Sequence, residues 1–496
     1  MPHGPEFAYV EKPSMDLLAR LGWTPVDAFQ EILGAQGTIG RDSQHDVVLK
    51  HRLRFAMRKL NSPDVPDTAI NEAVEALSKD RSVMDRVRAN REVYDLLRDG
   101  YRAEWADGTG NKRIETLRYL DLRSPSNNDL LAVQQMWVKG DLHSRRLDVA
   151  LFVNGVPLVL MEFKEPGVPV KTAYDANLTD YRDTIPQMFI PNCFVLLSNG
   201  GDARVGSTFA PWEFFGDWMV IDANGTRGEV ALETALRGTC DPEVLLDLFE
   251  NFVAYMERPG GLSKILARSH QFLGVNAAID NLRRARAVQD KRLGVFWHTQ
   301  GSGKSLSMLW FTQKVLRQIV GKWTFVMVTD RAELDTQLHG EFADAGAIPP
   351  EAKVHASSIA NLRELLAVDH RYVFTLIQKF QPAKGERAMP VLSDRSDIIV
   401  ITDEAHRSQY DTLALNMRTA LPNASMMGFT GTPLIAGAEQ ATREQFGDYV
   451  STYNFRDAII DGATVPLYYE NRIPELQLVN EDFSERNSQI LWIGVS

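Results

Sequence analysis

Five short apolar runs between residues 294 and 429 constrain the fold of this chain more than any other feature. Each run has the length of a strand and is followed by a helical or loop segment. Buried strands that alternate with helices form a parallel sheet with helices on both faces. The C-terminal half is therefore predicted to be an α/β domain with the strands Gly294–Trp297, Phe325–Thr329, Tyr372–Ile377, Ile398–Asp403 and Ser425–Phe429.

Length and composition are those of a globular chain of two or three domains. The 496 residues are 44% hydrophobic, and the two cysteines, Cys193 and Cys240, are too few for a disulfide framework and lack metal-ligand spacing. No secretory signal is visible and no apolar run is long enough to span a bilayer, so a cytoplasmic location is expected. The net charge of −11 means that any contact with nucleic acid would depend on local basic residues.

A phosphate-binding loop is predicted between the first of these strands and the helix after it. The loop matches the end of the pattern G-x-x-x-x-G-K-[ST]. The first position of the pattern is occupied by His298 instead of glycine. Glycines let backbone N–H groups face phosphate oxygens, the lysine reaches the β- and γ-phosphates, and the serine hydroxyl contacts Mg²⁺. The alternative is a glycine-rich turn with an ordinary surface lysine. The predicted ATP-binding residues are Gly301, Ser302, Gly303, Lys304 and Ser305.

A pair of carboxylates follows the fourth predicted strand. Asp403 and Glu404 emerge at its C-terminal end, where open α/β sheets bind ligands. Asp403 is predicted to hold Mg²⁺ through water, and Glu404 to orient and deprotonate the water that attacks ATP. Alone, such a pair could equally be a solvated loop; its position about 100 residues after the phosphate-binding loop favours the catalytic interpretation.

A second candidate site lies in the N-terminal half, on a predicted β-hairpin with Asn154-Gly155 at its turn. Asp148 precedes the turn, and Glu162 and Lys164 follow it, two residues apart on one face of a strand. Two carboxylates can hold Mg²⁺ against a scissile phosphate, while a lysine positions the attacking water and stabilises charge. The bland alternative is an edge strand with solvated charges.

The register of this hairpin decides whether Asp148 and Glu162 share a face. A two-residue loop would pair Val153 with Val156 and place Asp148 opposite Met161, on the face away from Glu162. A three-residue loop with a bulged, left-handed Gly155 would instead place Asp148 diagonal to Glu162 on a shared face. The second arrangement, with a type I turn, is therefore predicted.

Several segments of the C-terminal half resemble the motifs of superfamily 2 helicases. Asp403-Glu404-Ala405-His406 matches the DEAH box, and Thr430-Gly431-Thr432-Pro433 resembles the motif that couples nucleotide state to DNA contact. Thr329-Asp330-Arg331 resembles the motif that touches DNA phosphates, and Gln271 resembles the glutamine that reads adenine. The resemblance implies that Gln271 binds ATP and that Thr329 and Arg331 contact DNA. It also implies that the state of the nucleotide is coupled to DNA contact by His406, Thr430, Gly431 and Thr432.

The N-terminal half resembles the PD-(D/E)xK nucleases, and nearly the whole chain resembles the restriction (motor) subunit of type I restriction-modification enzymes. The segments that carry this resemblance include YVEKPSMDLLARLGW, RRLDVALFVNGVPLVLMEFKEP, WHTQGSGKS and LIQKF. The family's Q-x-x-x-Y element corresponds to Asn177 through Tyr181, with Asn in place of Gln, which implies a DNA contact by Tyr181. Glu11 is the candidate for the family's upstream acidic residue.

The resemblance implies a mixed-sheet nuclease domain at 1–240, a RecA-like first helicase lobe at 241–470, and at 471–496 the start of a connection to a second lobe. No Q-x-x-G-R-x-R arrangement follows, so the sequence is expected to be an N-terminal fragment that hydrolyses ATP poorly, because the opposite lobe supplies charge stabilisation. The implied activity is Mg²⁺-dependent DNA cleavage coupled to ATP-driven translocation along double-stranded DNA. The implied partners are the methyltransferase and specificity subunits, which would use S-adenosylmethionine.

Three other functions remain open at this point. One is a superfamily 2 repair or remodelling motor whose N-terminal domain is not catalytic, and another is a scaffold that only binds ATP and DNA. The third is a type III restriction subunit, whose nuclease normally follows the motor.

Overall fold

A mixed sheet of six strands organises the N-terminal half of the computed structural model, which describes residues 4–403, 410–432, 438–462 and 464. The strand order is β1-β4-β5-β6-β7-β8, in which β1 pairs with β4 and β6 with β7 in parallel, and the other neighbours are antiparallel. A separate antiparallel pair is formed by β2 and β3. The bounds are β1 Thr24–Asp27, β2 Tyr101–Ala106, β3 Lys112–Leu117, β4 Leu130–Lys139, β5 Ser144–Val153, β6 Val156–Phe163, β7 Phe194–Ser198 and β8 Ala203–Ser207.

Helices cover this sheet because its central strands are apolar along their whole length. Every residue of β6 and β7 is buried, as expected for strands covered on both faces. The helices of this half are α1 Lys12–Arg20, α2 Lys50–Leu60, α3 Asp67–Ser78, α4 Arg86–Asp99 and α5 Thr179–Thr184, with π-helical segments at Phe7–Glu11 and Ala173–Leu178 and 3₁₀ turns at Pro125–Asn127, Pro186–Phe189 and Trp212–Phe214.

The hairpin between β5 and β6 differs from the predicted one. Val153 pairs with Val156 across a two-residue turn, and Asn154 and Gly155 have φ values of 52° and 80°, which are typical of a type I′ turn. The predicted three-residue loop with a type I turn is therefore wrong. The reason lies in tertiary contacts, because the buried Asn154 side chain donates to Tyr119 O at 2.8 Å and accepts from Asp129 N at 2.7 Å.

A bulge farther along β6 places Asp148 and Glu162 on one face of the sheet, as predicted. Phe152 pairs with Pro157 and Leu151 with Val159, so Leu158 is the extra residue. Pro157 has no N–H to donate to the ladder, and bulges are among the few places where a sheet accepts proline. The register then continues through Val149 and Met161, which brings Asp148 opposite Glu162.

A second sheet of six strands organises the C-terminal half, and the predicted parallel sheet is confirmed. The strand order is β13-β12-β14-β15-β11-β16, and every neighbouring pair is parallel. The five predicted strands are present with ends within two residues of the expected ones. The bounds are β11 Arg292–His298, β12 Thr324–Thr329, β13 Tyr372–Leu376, β14 Ile398–Asp403, β15 Ser425–Thr430 and β16 Tyr449–Tyr453.

The edge strand β16 was not predicted, because only its last residue, Tyr453, is buried and it lacks an apolar run. The helices around this sheet are α8 Ser269–Ala287, α9 Lys304–Gln318, α10 Ala332–Asp344, α11 Ile359–Leu366, α12 Tyr410–Ala420, α13 Ala438–Phe446 and α14 Phe455–Ile460, with a 3₁₀ turn at Ile377–Lys379. Within the described ranges, no helix is both long and apolar enough to cross a membrane.

Two helices and a hairpin join the two sheets, namely α6 Ala231–Cys240, α7 Pro242–Asn251, β9 Val253–Arg258 and β10 Gly261–Leu266. They are packed against both halves. Lys264 of β10 is buried and donates to Asn192 O at 2.7 Å, and Ser207 Oγ donates to Lys264 O at 2.6 Å. The domain boundary predicted at residue 240 falls between α6 and α7, inside this packed region, and it stays a prediction.

Candidate functional site

Asp148, Glu162 and Lys164 lie together at one end of the β5–β6 hairpin. Asp148 is 7% exposed and Glu162 2%. The backbone N–H of Phe163 donates to Asp148 Oδ2 at 2.8 Å, and Lys164 Nζ donates to Glu162 Oε1 at 3.0 Å and to Phe163 O at 2.6 Å. The geometry thus brings together the three side chains that the sequence predicted for a nuclease site.

Two further carboxylates converge on Asp148 from the N-terminal segment. Single carboxylate oxygens of Glu6, Glu11 and Asp148 all lie within 4.8 Å of one another. Glu11 was the candidate upstream acid, whereas Glu6 was missed. The two glutamates are five residues apart across the π-helical Phe7–Glu11, and the i→i+5 repeat of that helix brings them to one side. A π-helical segment is not visible in the sequence.

Burial dominates the electrostatics of this cluster. It raises the pKa of Glu162 well above its usual range, with the Asp148 carboxylate adding to the effect, and it also raises the pKa of Asp148. Burial, with a smaller contribution from the Asp148 carboxylate, raises the pKa of Glu11 to about 7. Buried charges of one sign are costly unless something pairs with them.

The donor set fits a divalent cation. Glu162 Oε2 is buried and, among the residues that the structure describes, has no hydrogen-bond partner. Carboxylate oxygens are the ligands that Mg²⁺ takes from proteins. Glu6, Glu11 and Asp148 have oxygens close enough together to share one ion, and Glu162 lies beside Asp148. An ion held there would offset the mutual repulsion of these carboxylates.

Gln135 and Arg146 surround these carboxylates, and the sequence analysis had not singled them out. The β4–β5 register places Gln135 opposite Asp148, and Gln135 has a φ of 57° in the middle of the strand, where a residue other than glycine is strained. Its Nε2 donates to Glu11 Oε2 at 2.7 Å. Arg146 precedes Asp148 by two residues on β5 and is exposed. Gln135 lies outside the segments that carry the family resemblance, and Arg146 lies inside one of them but was given no role.

Tyr181, predicted as a DNA contact, is only 5% exposed. Its hydroxyl donates to Arg146 O at 3.1 Å and lies 3.5 Å from Asn177 Nδ2. Burial and the neighbouring Glu162 carboxylate raise the pKa of Tyr181. The structure therefore places Tyr181 and Asn177 beside the carboxylates, inside the domain.

The predicted phosphate-binding loop connects β11 to α9. Gly301 and Gly303 have φ values of 84° and 78°, a conformation that favours glycine, and α9 begins at Lys304. Lys304 Nζ donates to His298 O at 3.2 Å, and Ser305 is half-buried. The loop thus has the strand, turn and helix that the motif requires.

Gln271 lies under this loop. Its Nε2 donates to Ser302 O at 3.2 Å and to Gly303 O at 3.1 Å, while its Oε1 accepts from Arg268 N at 2.9 Å. A Cβ added to Gly303 would lie 2.5 Å from Gln271 Nε2. In this structure Gln271 therefore binds the loop backbone, and its predicted contact with adenine stays a prediction.

His298 explains how the loop departs from the G-x-x-x-x-G-K-[ST] pattern. It ends β11, is fully buried, and its Nε2 lies 2.8 Å from Ser451 Oγ of the edge strand β16. Its side chain thus connects two strands beneath the loop, a role that glycine could not fill.

A cavity of about 660 Å³ adjoins the loop. Arg268, His270 and Gln271 line it from the C-terminal half, together with the loop residues 301–303, and Phe214 and Trp218 line it from the N-terminal half. The phosphate-binding loop therefore opens onto a space that both halves of the chain enclose.

The other predicted motor residues lie at the carboxyl edge of the parallel sheet. Asp403 ends β14 and pairs with Phe429, while Thr430 ends β15 and pairs with Trp297 of β11. Because β15 lies between β11 and β14, these strand ends lead to the edge that carries the phosphate-binding loop. Glu404 and His406 lie outside the described residues.

The predicted coupling and DNA-contact residues occupy the same edge. Thr432 N donates to Thr430 Oγ1 at 3.3 Å across Gly431, so this motif forms a short turn after β15. Thr329 ends β12 and is fully buried, whereas Arg331 is exposed just before α10. No contact in the structure tests their predicted roles.

Comparisons with known proteins match the two halves of the chain to different family models. Residues 5–214 match the family model "Type I restriction enzyme R protein N terminus", and residues 270–492 match "SWI2/SNF2 ATPase". The chain is 37% identical to the type I restriction enzyme HindI endonuclease subunit of Haemophilus influenzae, over 93% of this chain and 46% of that protein. It is 32% identical to the "Putative type I restriction enzyme MjaIXP endonuclease subunit" of Methanocaldococcus jannaschii, over 89% of this chain and 44% of that protein. The chain thus spans about half the length of these relatives.

Proposed function

Because this chain belongs to the family of type I restriction enzyme R proteins, we propose that it carries the DNA-cleaving site and the first ATP-binding lobe of such an enzyme. The observation that carries the proposal is the convergence of Asp148, Glu162 and Lys164 at one end of a hairpin. Their chemistry is that of a metal-dependent nuclease.

The carboxylates would hold Mg²⁺, which polarises the scissile phosphate and offsets the charge that develops on it. Asp148 is kept in place by the Phe163 N–H, and Glu162 has one oxygen with no hydrogen-bond partner in the described part of the chain, which leaves it available for the ion. Lys164, now bonded to Glu162, would turn its ammonium to the attacking water once the metal neutralises that carboxylate. Glu11, with its raised pKa, would complete the ligand set.

ATP is proposed to bind at the loop between β11 and α9. Lys304 and the N–H groups of residues 301–305 would hold the phosphates, Ser305 and Asp403 would hold Mg²⁺, and Glu404 would activate water. The adjoining cavity supplies room for the rest of the nucleotide. Gln271 would exchange a contact with the loop for one with adenine.

In the complete enzyme, ATP hydrolysis would drive translocation along double-stranded DNA, with Thr329, Arg331 and Tyr181 near its path. Thr430, Gly431, Thr432 and His406 would couple nucleotide state to DNA contact. Recognition and methylation, with S-adenosylmethionine, would belong to partner methyltransferase and specificity subunits.

Metal-dependent cleavage tests the nuclease part of this proposal. The chain is assayed on plasmid DNA with Mg²⁺ and with EDTA, alone and after assembly with methyltransferase and specificity subunits. Glu162→Gln and Lys164→Ala are expected to lower the cleavage rate by at least 100-fold, because each removes a group that acts on the reacting phosphate. Lys171→Ala is the matched control, since Lys171 is exposed and paired with Asp175 at 2.7 Å.

Cleavage that survives both substitutions, or that persists in EDTA, would contradict the assignment and favour a motor with a non-catalytic N-terminal half. Nucleotide binding is tested separately with a fluorescent ATP analogue. Lys304→Ala is expected to weaken binding at least tenfold, whereas the exposed Lys322→Ala should not change it.

A further inference from the structure

With a divalent cation bound and its carboxylates ionised, the proposed nuclease site still holds more negative than positive charge. Glu6, Glu11 and Asp148 converge there and Glu162 lies beside Asp148, while the Lys164 ammonium is already hydrogen-bonded to Glu162 and to Phe163 O. A DNA phosphate is itself an anion, so its approach to four carboxylates is unfavourable without a further cation beside the metal.

Arg146 is a cation at the opening of this site. It lies two residues before Asp148 on β5, and alternate residues of a strand point to the same face. Arg146 is exposed whereas Asp148 is 7% exposed, so the arginine charge is at the protein surface, next along the strand face to a buried carboxylate. The positive charge of Arg146 acts on three of these carboxylates. It lowers the pKa of Glu6, Glu11 and Asp148, although burial raises each of these pKa values by more.

Two aromatic rings hold the Arg146 guanidinium. Its Cζ is 5.5 Å from the ring centre of Phe29 and 5.9 Å from that of Trp137, the cross-strand partner of Arg146. Among the described residues, no hydrogen bond or ion pair engages this guanidinium. Stacking on ring faces orients a guanidinium and leaves its N–H donors available.

The neighbouring Arg145 shows the contrast. Its guanidinium Nη2 donates to Asp180 Oδ1 at 2.8 Å, so its charge is already paired. Adjacent residues of a strand point to opposite faces, and Arg145 therefore faces away from the carboxylates.

We propose that Arg146, whose guanidinium lies over the rings of Phe29 and Trp137, binds a backbone phosphate of the DNA next to the scissile one. This inference rests on the proposed nuclease function and assigns the DNA-binding contact of that site. A planar guanidinium with several donors matches the geometry of a phosphate, and the half-exposed Phe29 is left at the DNA-facing edge.

Salt-dependent DNA binding tests the proposal directly. The chain is titrated with a fluorescent DNA duplex in Ca²⁺, which occupies oxygen sites, between 50 and 200 mM KCl, concentrations over which phosphate contacts weaken. The logarithm of the DNA affinity falls as the logarithm of the salt concentration rises. For Arg146→Ala we expect this slope to become shallower by about 0.9, the value for one lost phosphate contact. Arg146→Lys should keep the wild-type slope, because lysine keeps the positive charge. Arg145→Ala is the control and should also keep the wild-type slope, because Arg145 is paired with Asp180.

The outcomes separate this inference from the proposed function. If the unchanged chain neither binds nor cuts DNA, both proposals are overturned. If it binds and cuts DNA but Arg146→Ala leaves the salt slope unchanged, the Arg146 assignment alone is wrong. An unchanged slope with a shifted pH profile of cleavage would also overturn it, since Arg146 would then act on the carboxylates and not on DNA.

Discussion

Glu11→Gln offers the sharpest test of the buried carboxylate cluster. Glu11 is 3% exposed, and burial together with Asp148 raises its pKa from 4.5 to about 7. Below pH 4.5 the carboxyl is protonated in the folded and the unfolded chain. As the pH rises from 4.5 to 7, the unfolded chain loses the proton while the folded chain keeps it, so the folded chain loses stability. The loss is complete above pH 7.

The size of this effect follows from the pKa values. A rise from 4.5 to about 7 corresponds to about 3 kcal/mol at high pH, of which about 2.5 kcal/mol develops between pH 5 and pH 8. Glutamine has nearly the same shape, can still accept the hydrogen bond from Gln135, and does not titrate. The free energy of unfolding of Glu11→Gln, relative to the unchanged chain, should therefore rise by about 2.5 kcal/mol across this range.

Urea unfolding in EDTA, followed at pH 5 and at pH 8, measures this difference. Asp16→Asn is the control, because Asp16 is an exposed carboxylate on α1, the helix that directly follows Glu11. Added Mg²⁺ should stabilise the unchanged chain at pH 8 and stabilise Glu11→Gln less, since one ligand is lost. If the stability difference between Glu11→Gln and the unchanged chain is the same at both pH values, the reasoning about burial at this site is wrong.

Three other predictions address the β5–β6 hairpin, Lys264 of β10 and the phosphate-binding loop. Gly155→Ala should destabilise the fold by about 2–4 kcal/mol in urea unfolding, because the φ of Gly155 is 80° and an added Cβ would lie 2.7 Å from Leu49 O. Gly167→Ala is the control: Gly167 has a φ of 95° but open space around it, so the substitution should cost only about 1 kcal/mol. Burial lowers the pKa of Lys264 to about 8, so the folded chain should gain stability as the pH rises from 8 to 10.5, and Lys264→Met should abolish that gain in unfolding titrations. Gln271→Glu should weaken binding of an ATP analogue more than Gln271→Ala does, because a carboxylate would face the carbonyls of Ser302 and Gly303, and equal effects would contradict this contact.

The motor half was largely predictable from its sequence. Its strands are buried on both faces, so each one is a continuous apolar run, and the glycines of the phosphate-binding loop need φ values that few other residues adopt. The edge strand β16 was missed because solvent covers much of it and its residues are mixed.

The nuclease half was predictable in its residues but not in its register. The sequence indicated Asp148, Glu162 and Lys164 and an Asn-Gly turn. The shared face was expected from a three-residue loop, whereas the structure reaches it through a two-residue turn and a bulge at Leu158. Turn length and bulge position depend on buried contacts of Asn154 with residues far away in the chain.

By itself, the sequence determined which residue types could perform the chemistry and which segments would be strands, because apolar periodicity and glycine placement are local properties. Only the tertiary structure decided which charged groups meet. Glu6, Gln135 and Arg146 join Asp148 from a π-helical segment and two strands, and their convergence is set by the packing of those elements. A carboxylate's pKa, its metal-binding capacity and its access to DNA all depend on neighbours distant in the sequence, and those neighbours are fixed only when the chain folds.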